Sequence, residues 1–384
     1  MQGSNNLKFQ KLFESNEWCG IILYNASIPD EKNRVIFQRL ISLGSEFSVI
    51  LLTEPQCTYP EEIKKKLIIK RLPLDFSAIP FIGKLLNRIL FKIWALYYIF
   101  FKTSNKKTFI YTFALPPNEM IGFLASVFQG KPWIIETMMH LQYYLDFGRI
   151  QKNYLLVLYG LLCRTILKMT IKRAKLILVT SHTLGDGGAR ILKNDFGVPE
   201  SKIFPIQQGV SIPIIESYEN INARLNTDKN YFNIVHVGGI SKAKGNDLLY
   251  SIDKLERAMP NLRVLLIGPV SKSFHNEFNQ ILKRSPEILK YLGRLSHEET
   301  LNYICKSDLC VCMLNPKIRD YNYGQPVKIL EYLALGKPVV ATNLEGIRGI
   351  ITHGYNGLLY EPGNVDSFVS AVLEVASNHL LRKN

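Results

Sequence analysis

The 384-residue sequence predicts an α/β protein of two domains, each a parallel sheet with helices on both faces. Three observations predict it. Apolar runs of strand length alternate with helix-like stretches, and the alternation occurs as two series joined near IPIIESYEN (212–220). The runs are apolar throughout, as strands buried on both faces must be. The chain is also too long for a single ordinary core.

In order, CGIILYN (19–25) reads as a buried strand, followed by a helix from about Glu31 to Leu43 and by the strand FSVILLT (47–53). TFIYTFA (108–114), PWIIE (132–136) and LILVTS (176–181) continue the first series, each with a helix-like stretch after it. The second series holds NIVHVGG (233–239), RVLLIGP (263–269), DLCVCML (308–314) and KPVVAT (337–342). Both series describe Rossmann-like domains, placed at 17–212 and 221–384. Neither a 20–50-residue repeat nor a low-complexity tract interrupts them.

A hydrophobic content of 47% with 21% charge marks a folded globular chain. The start, MQGSNNLKFQKLFESNEW, has no apolar core before a small-residue cleavage site, so no secretory signal is expected. The six cysteines lack the paired spacings of a zinc site, and Cys310 and Cys312 share one face of a strand. Buried reduced thiols and a cytoplasmic location are the expectation.

The net charge of +15 is uneven: residues 1–215 hold 27 Lys+Arg against 15 Asp+Glu, and residues 216–384 hold 20 against 17. The first half is therefore the side that meets an anionic partner. Its basic residues lie among aliphatic and aromatic ones, which favours a membrane surface over nucleic acid. In IPFIGKLLNRILFKIWALYYIFFK (79–102), Lys84, Arg88 and Lys92 recur every four residues; in NYLLVLYGLLCRTILKMTIKRAK (153–175), Arg164, Lys168 and Lys172 do the same. The uncharged runs Ile93–Phe101 and Asn153–Cys163 fall short of the roughly 20 residues of a membrane span. Two peripheral helices on an anionic bilayer are expected; scaffold helices with a wet basic face are the plain alternative.

Missing signatures narrow the chemistry. Gly185 and Gly187 begin a G-x-G-x-x-G pattern, but Arg190 ends it, which disfavours a dehydrogenase. The sequence has no P-loop, no G-x-S-x-G, no H-E-x-x-H and no Asp-x-Asp. No metal or cofactor is expected.

One stretch stands out: YGQPVKILEYLALGKPVVATN (323–343). Pro326 suits a helix start and Gly336 a left-handed helix end, while Val327, Leu330 and Ala334 follow helical spacing. Glu331 lies in the second turn, near N–H groups able to hold phosphate. A carboxylate there suits the vicinal hydroxyls of a ribose; a Glu favoured by the helix dipole is the plain alternative.

LEYLALGKPVVATN with GIRGIITHGYNGLLYEPGNVDSFVSAV (346–372) resembles the donor-binding half of retaining family 4 glycosyltransferases of the GT-B fold. VHVGGISKAKGNDLLYSI (235–252), LRVLLIGP (262–269) and YLGRLSHEETLNYICKSDLCVCML (291–314) extend the resemblance, which covers about residues 19–376 and is weaker in the first half. It implies that Glu331 binds the nucleotide ribose and that Lys244, after Gly238 and Gly239, neutralises the diphosphate. Gly293–Leu295 would grip the base through backbone groups, and the Gly324 backbone would face the diphosphate. On the acceptor side, His140 would help orient donor and acceptor, and Asn25 would approach the acceptor; a structural histidine and a turn asparagine are the alternatives.

Three departures from the family pattern stand out. Its usual Arg, five residues before the lysine, is Gly239 here, and the first acid of its E-x7-E pair is Tyr323. Arg294 or Arg319 is a candidate for the missing positive charge. The family's closing helix is expected to be lacking after Asn384. The resemblance implies transfer of a sugar from a nucleotide-diphosphate donor, with retention, to a lipid-linked or polysaccharide acceptor at the inner face of the membrane. A non-catalytic subunit of the same fold is the alternative, and a sugar-nucleotide epimerase a third reading.

Overall fold

The structure is a computed structural model that describes residues 18–23, 43–55, 57–59, 61–79, 82–103, 107–113, 118–137, 143–150, 152–210 and 230–378. The helix expected at 31–43 lies outside these residues except for Leu43.

The first sheet has seven strands among the described residues: β1 (Cys19–Leu23), β2 (Ser48–Thr53), β3 (Ile68–Arg71), β4 (Thr108–Phe113), β5 (Trp133–Thr137), β6 (Leu176–Thr180) and β7 (Ile203–Ile206). Their order is β3-β2-β1-β4-β5-β6-β7. β1 lies parallel between β2 and β4, with Ile21 opposite both Ile50 and Ile110. Buried Ile22, Leu51, Tyr111 and Ile134 fill one core, and Phe47 meets Phe109 edge-on at 5.4 Å.

The second sheet has β8 (Phe232–Val237), β9 (Leu262–Ile267), β10 (Leu289–Gly293), β11 (Leu309–Cys312), β12 (Val339–Thr342) and β13 (Leu358–Tyr360). It runs β10-β9-β8-β11-β12-β13 and is parallel throughout. The chain moves outward from β8 to β10, then returns to the other side of β8 as β11. The C-terminal ends of β8 and β11 are thus the topological switch point, where open parallel sheets bind ligands. Cys310 and Cys312 are fully buried in β11, and all six cysteines are free thiols.

Four strands carry no signal in the sequence: β3, β7, β10 and β13. They are the four edges of the two sheets. β3 has no buried residue and β10 only Leu289, because an edge has a neighbour on one side only. The continuous apolar run that marks an interior strand is absent there.

The chain groups into two compact units. The first holds Met1–His140, Leu162–Val179 and Ile191–Phe204; the second holds Leu141–Leu161, Thr180–Arg190 and Pro205–Asn384. Two stretches from inside the expected first domain therefore pack with the second. Asp146 takes the Arg319 backbone N–H at 3.1 Å and its Nε and Nη2, each at 3.2 Å. Glu345 takes the Gly187 N–H at 2.8 Å and Arg190 Nη2 at 2.6 Å. Polar pairs separated by more than 150 residues leave no local trace in a sequence.

Candidate functional site

The second unit gathers its backbone turns at the switch point. Gly238 donates its N–H to Ile267 O at 2.8 Å, and Gly268 donates to Gly293 O at 2.7 Å, which ties the ends of β8, β9 and β10 together. Gly238 and Gly268 have φ of +123° and +132°, and a Cβ at Gly268 would fall 2.0 Å from Gly238 O. Only glycine permits both the conformation and the approach.

Lys244 follows in a tight turn in which Ser241 and Lys244 exchange backbone hydrogen bonds of 2.8 and 2.9 Å. Gly245, left-handed, then starts helix α1 (Asn246–Ala258). The Lys244 ammonium stands 4.9 Å from the centroid of the Tyr321 ring, a cation–π contact. Burial, then the nearby Lys328 charge, lowers its pKa to about 8. Beneath the turn His236 is fully buried, and burial first, then Lys328, holds its pKa well below the ordinary imidazole value, so the ring is neutral. A cavity of about 230 Å³ adjoins the turn, lined among others by Lys244, Asn246, Leu314 and Gly363.

Helix α2 (His297–Cys305) and helix α3 (Val327–Ala334) complete the site. Ser296 and Glu299 form a full capping box on α2, which fixes the start of that helix beside the Gly293 turn. Pro326 is the N-cap of α3, in extended conformation, and Gly336 ends the helix at φ +66°. In the first turn of α3 the Ile329 N–H is already donated to Pro326 O at 3.0 Å. Glu331 sits at 17% side-chain exposure with Oε1 2.7 Å from His297 Nε2. Lys328, one turn earlier, donates from Nζ to Val237 O at 2.9 Å.

Gly238 and Gly239 follow β8, Lys244 precedes α1, Gly293 ends β10, Leu295 lies between β10 and α2, and Glu331 is on α3. Gly293 is left-handed with open space where a side chain would stand, and Leu295 is half-buried. Gly324 differs from expectation: its N–H is already donated to Asp320 O at 3.0 Å, and its carbonyl packs on Gly346. Tyr323 is buried with its hydroxyl on Asp320, so it belongs to the core. Arg319 is held by Asp146, and Arg294 is exposed. His140 and Asn25 lie outside the described residues, as does the side chain of Lys84.

The two basic stripes divide. Arg88, Lys168 and Lys172 are exposed. Lys92 instead turns inward, donating to Asn118 Oδ1 near Glu54 and Glu119, and burial lowers its pKa to about 8. Arg164 lies over the Phe196 ring and 3.4 Å from Asp195. What the helix Gly83–Tyr97 and its extension to Lys102 present outward is an apolar row: Ile82, Leu85, Ile89, Ile93, Tyr97 and Phe101, the last 70% exposed. The second helix, Tyr154–Thr170, also exposes Tyr154, Leu155, Leu158 and Leu162. The helical stretch Tyr154–Arg173 is long and apolar enough to cross a membrane, by length and composition. That differs from the count of uncharged residues, because Arg164 and Lys168 lie inside it.

Comparison with known proteins places this geometry. The family model for glycosyl transferases group 1 matches residues 231–378. An uncharacterized glycosyltransferase of Methanocaldococcus jannaschii is 29% identical over 167 residues, 43% of this chain and 44% of that protein. A phosphatidyl-myo-inositol mannosyltransferase of Propionibacterium freudenreichii subsp. shermanii is 31% identical over 137 residues, 35% of this chain and 32% of that one. The chain thus spans less than half the length of these two relatives. The solved structure of Anabaena HepE in complex with UDP and glucose superposes with a TM-score of 0.65 over 95% of this chain and 91% of that one, at 16% identity, a likeness of fold. Residues 231–378 thus match the group 1 glycosyltransferase model, and the two parallel-sheet domains have the GT-B fold.

Proposed function

We propose that the protein transfers a sugar from a nucleoside-diphosphate donor to a hydroxyl of a lipid-linked or polysaccharide acceptor, with retention, in cell-surface glycan synthesis. The observation that carries this reading is that Lys244, in the turn after β8, is electrostatically coupled to Lys328, which is held at Val237 O and shares helix α3 with Glu331. The carboxylate suits a ribose diol, and the lysine suits a diphosphate. The similarly folded HepE binds UDP and glucose, which supports a uridine nucleotide as the first donor to try.

In this reading the bond from the anomeric carbon to the diphosphate oxygen breaks, and the acceptor oxygen bonds to the same face of that carbon. The acceptor's proton passes to the leaving phosphate. Lys244 stabilises the negative charge that grows there. No divalent ion is assigned to the site. Tyr323, standing where the family has an acid, is the feature that favours a non-catalytic subunit instead. A thermal-shift panel of UDP-, GDP- and ADP-sugars, followed by hydrolysis of the binder without acceptor, decides between them. Stabilisation with nucleotide release supports the enzyme; stabilisation without release supports the binding subunit.

The same proposal puts the protein at the inner face of an anionic membrane. Its support is the outward apolar row Ile82–Phe101, on a segment (82–102) with four basic residues and no acid.

A further inference from the structure

The family pattern pairs its lysine with an arginine five residues earlier, and this chain has Gly239 at that position. The backbone does not require glycine there. Gly239 is not left-handed, and the nearest atom to a Cβ would be Pro269 O at 4.0 Å. The missing charge is thus not a steric necessity.

An ammonium reaches the same turn from the other side. Lys328 Nζ is 2.9 Å from Val237 O and 3.6 Å from the point a Cβ of Gly238 would occupy. That carbonyl takes one of three N–H bonds and fixes the head group at the turn. Among the described residues, neither Lys244 nor Lys328 has a carboxylate partner. Two half-buried cations without counter-charge repel each other, and after burial the Lys328 charge is the next cause that lowers the Lys244 pKa. Such a pair is relieved by an anion that carries more than one charge.

We propose that Lys328 is the second diphosphate-binding cation of this protein, serving where relatives use the arginine. The inference rests on the nucleoside-diphosphate reading above and names a residue that reading does not need. Lys328 and Glu331 are i and i+3 on α3, so they share a face about 4.5 Å apart along the axis. One helix then holds both the diphosphate and the ribose of the same nucleotide.

The test measures binding of UDP, GDP, ADP and the matching monophosphates by calorimetry to the parent, Lys328→Met, Lys244→Ala and Lys328→Met with Gly239→Arg. Lys328→Met should weaken the preferred diphosphate about 10- to 150-fold, the range for one charge-assisted contact, and the monophosphate less. Gly239→Arg should restore at least tenfold of that loss, which repair of a purely structural defect would not do. If Lys328→Met fails to fold, Gly239→Arg alone still decides: tighter diphosphate binding supports a site short of one cation, and unchanged binding opposes it. Equal diphosphate affinity in parent and Lys328→Met, with Lys244→Ala weakened, overturns this inference and leaves the functional reading standing. If the parent binds none of the three diphosphates, both fall together.

Discussion

His297 Nε2 lies 2.7 Å from Glu331 Oε1, so the carboxylate expected to hold a ribose is itself held by an imidazole. The ring is carried on the first residue of α2, which the Ser296–Glu299 capping box anchors. One carboxylate oxygen is fixed in place, and the other remains to accept from a hydroxyl. Glu331→Gln should raise the donor KM about 10- to 150-fold through loss of a charge-assisted bond, with kcat little changed. His297→Ala should raise KM by a smaller factor, and His297→Gln, which keeps an N–H donor, by less still. In the Glu331→Gln background His297→Ala should add almost nothing. Independent, fully additive effects in steady-state kinetics would contradict the coupling.

Lys244 gives the site a pH signature. Burial, then Lys328, lowers its pKa to about 8, so the charged form prevails below that pH and is lost above it. The free-enzyme profile, kcat/KM against pH, should therefore fall as pH rises through about 8. Lys244→Arg stays charged at every accessible pH and should flatten this limb. A profile of parent protein that is level to pH 9.5 would speak against a charged lysine.

The first unit carries a buried acid–base group with the opposite kind of readout. Burial raises the Glu119 pKa to about 7 and lowers that of Lys92 to about 8. From about pH 4.5 to 7 the unfolded chain has lost the Glu119 proton while the folded protein retains it, so stability declines with rising pH in that window. Glu119→Gln should remove the decline, and its melting temperature should gain on the parent's between pH 5 and 7.5. Lys92→Met removes a cation that is bonded to Asn118 and lies near Glu54 and Glu119, so it should raise the Glu119 pKa further and extend the decline to higher pH. Parallel melting curves for parent and Glu119→Gln across that range would refute the assignment.

The proposed membrane docking rests on the exposed apolar row more than on the basic stripes. Leu85, Ile89 and Ile93 to Ser should abolish most pelleting with anionic liposomes, since these residues are exposed and apolar on one helix face. Arg88, Lys168 and Lys172 to Gln should weaken it by about 1 kcal/mol each and remove its salt sensitivity. Arg164→Gln should act on stability through Asp195 and Phe196 instead. Undiminished pelleting of the Ser variant would exclude the apolar row as the anchor.

The interior strands were legible because each is a run of buried Val, Ile and Leu, and Glu331 was legible because its helix has a proline entrance and a glycine exit. Edge strands β3 and β10 were not, since exposed residues break the run, and β7 and β13 are runs of only four and three residues. The basic stripes misled for a geometric reason. Lys92 stands next to buried Phe91, where the exposed face of its helix meets the core. Thus Arg88 is exposed while Lys92 points inward to Asn118. Lys328 escaped notice because its importance depends on Val237, 91 residues away, and on the absence of a side chain at Gly239.

The central claim is that Lys244 stabilises the leaving diphosphate of a nucleotide sugar. Its most direct test is nucleotide release from the donor selected by thermal shift, measured for parent and for Lys244→Ala with circular dichroism confirming that both are folded. The account predicts a fall of about 10²–10³-fold in kcat, the size expected when a preorganised charge is removed from a transition state. Equal kcat in the folded variant and the parent would contradict it.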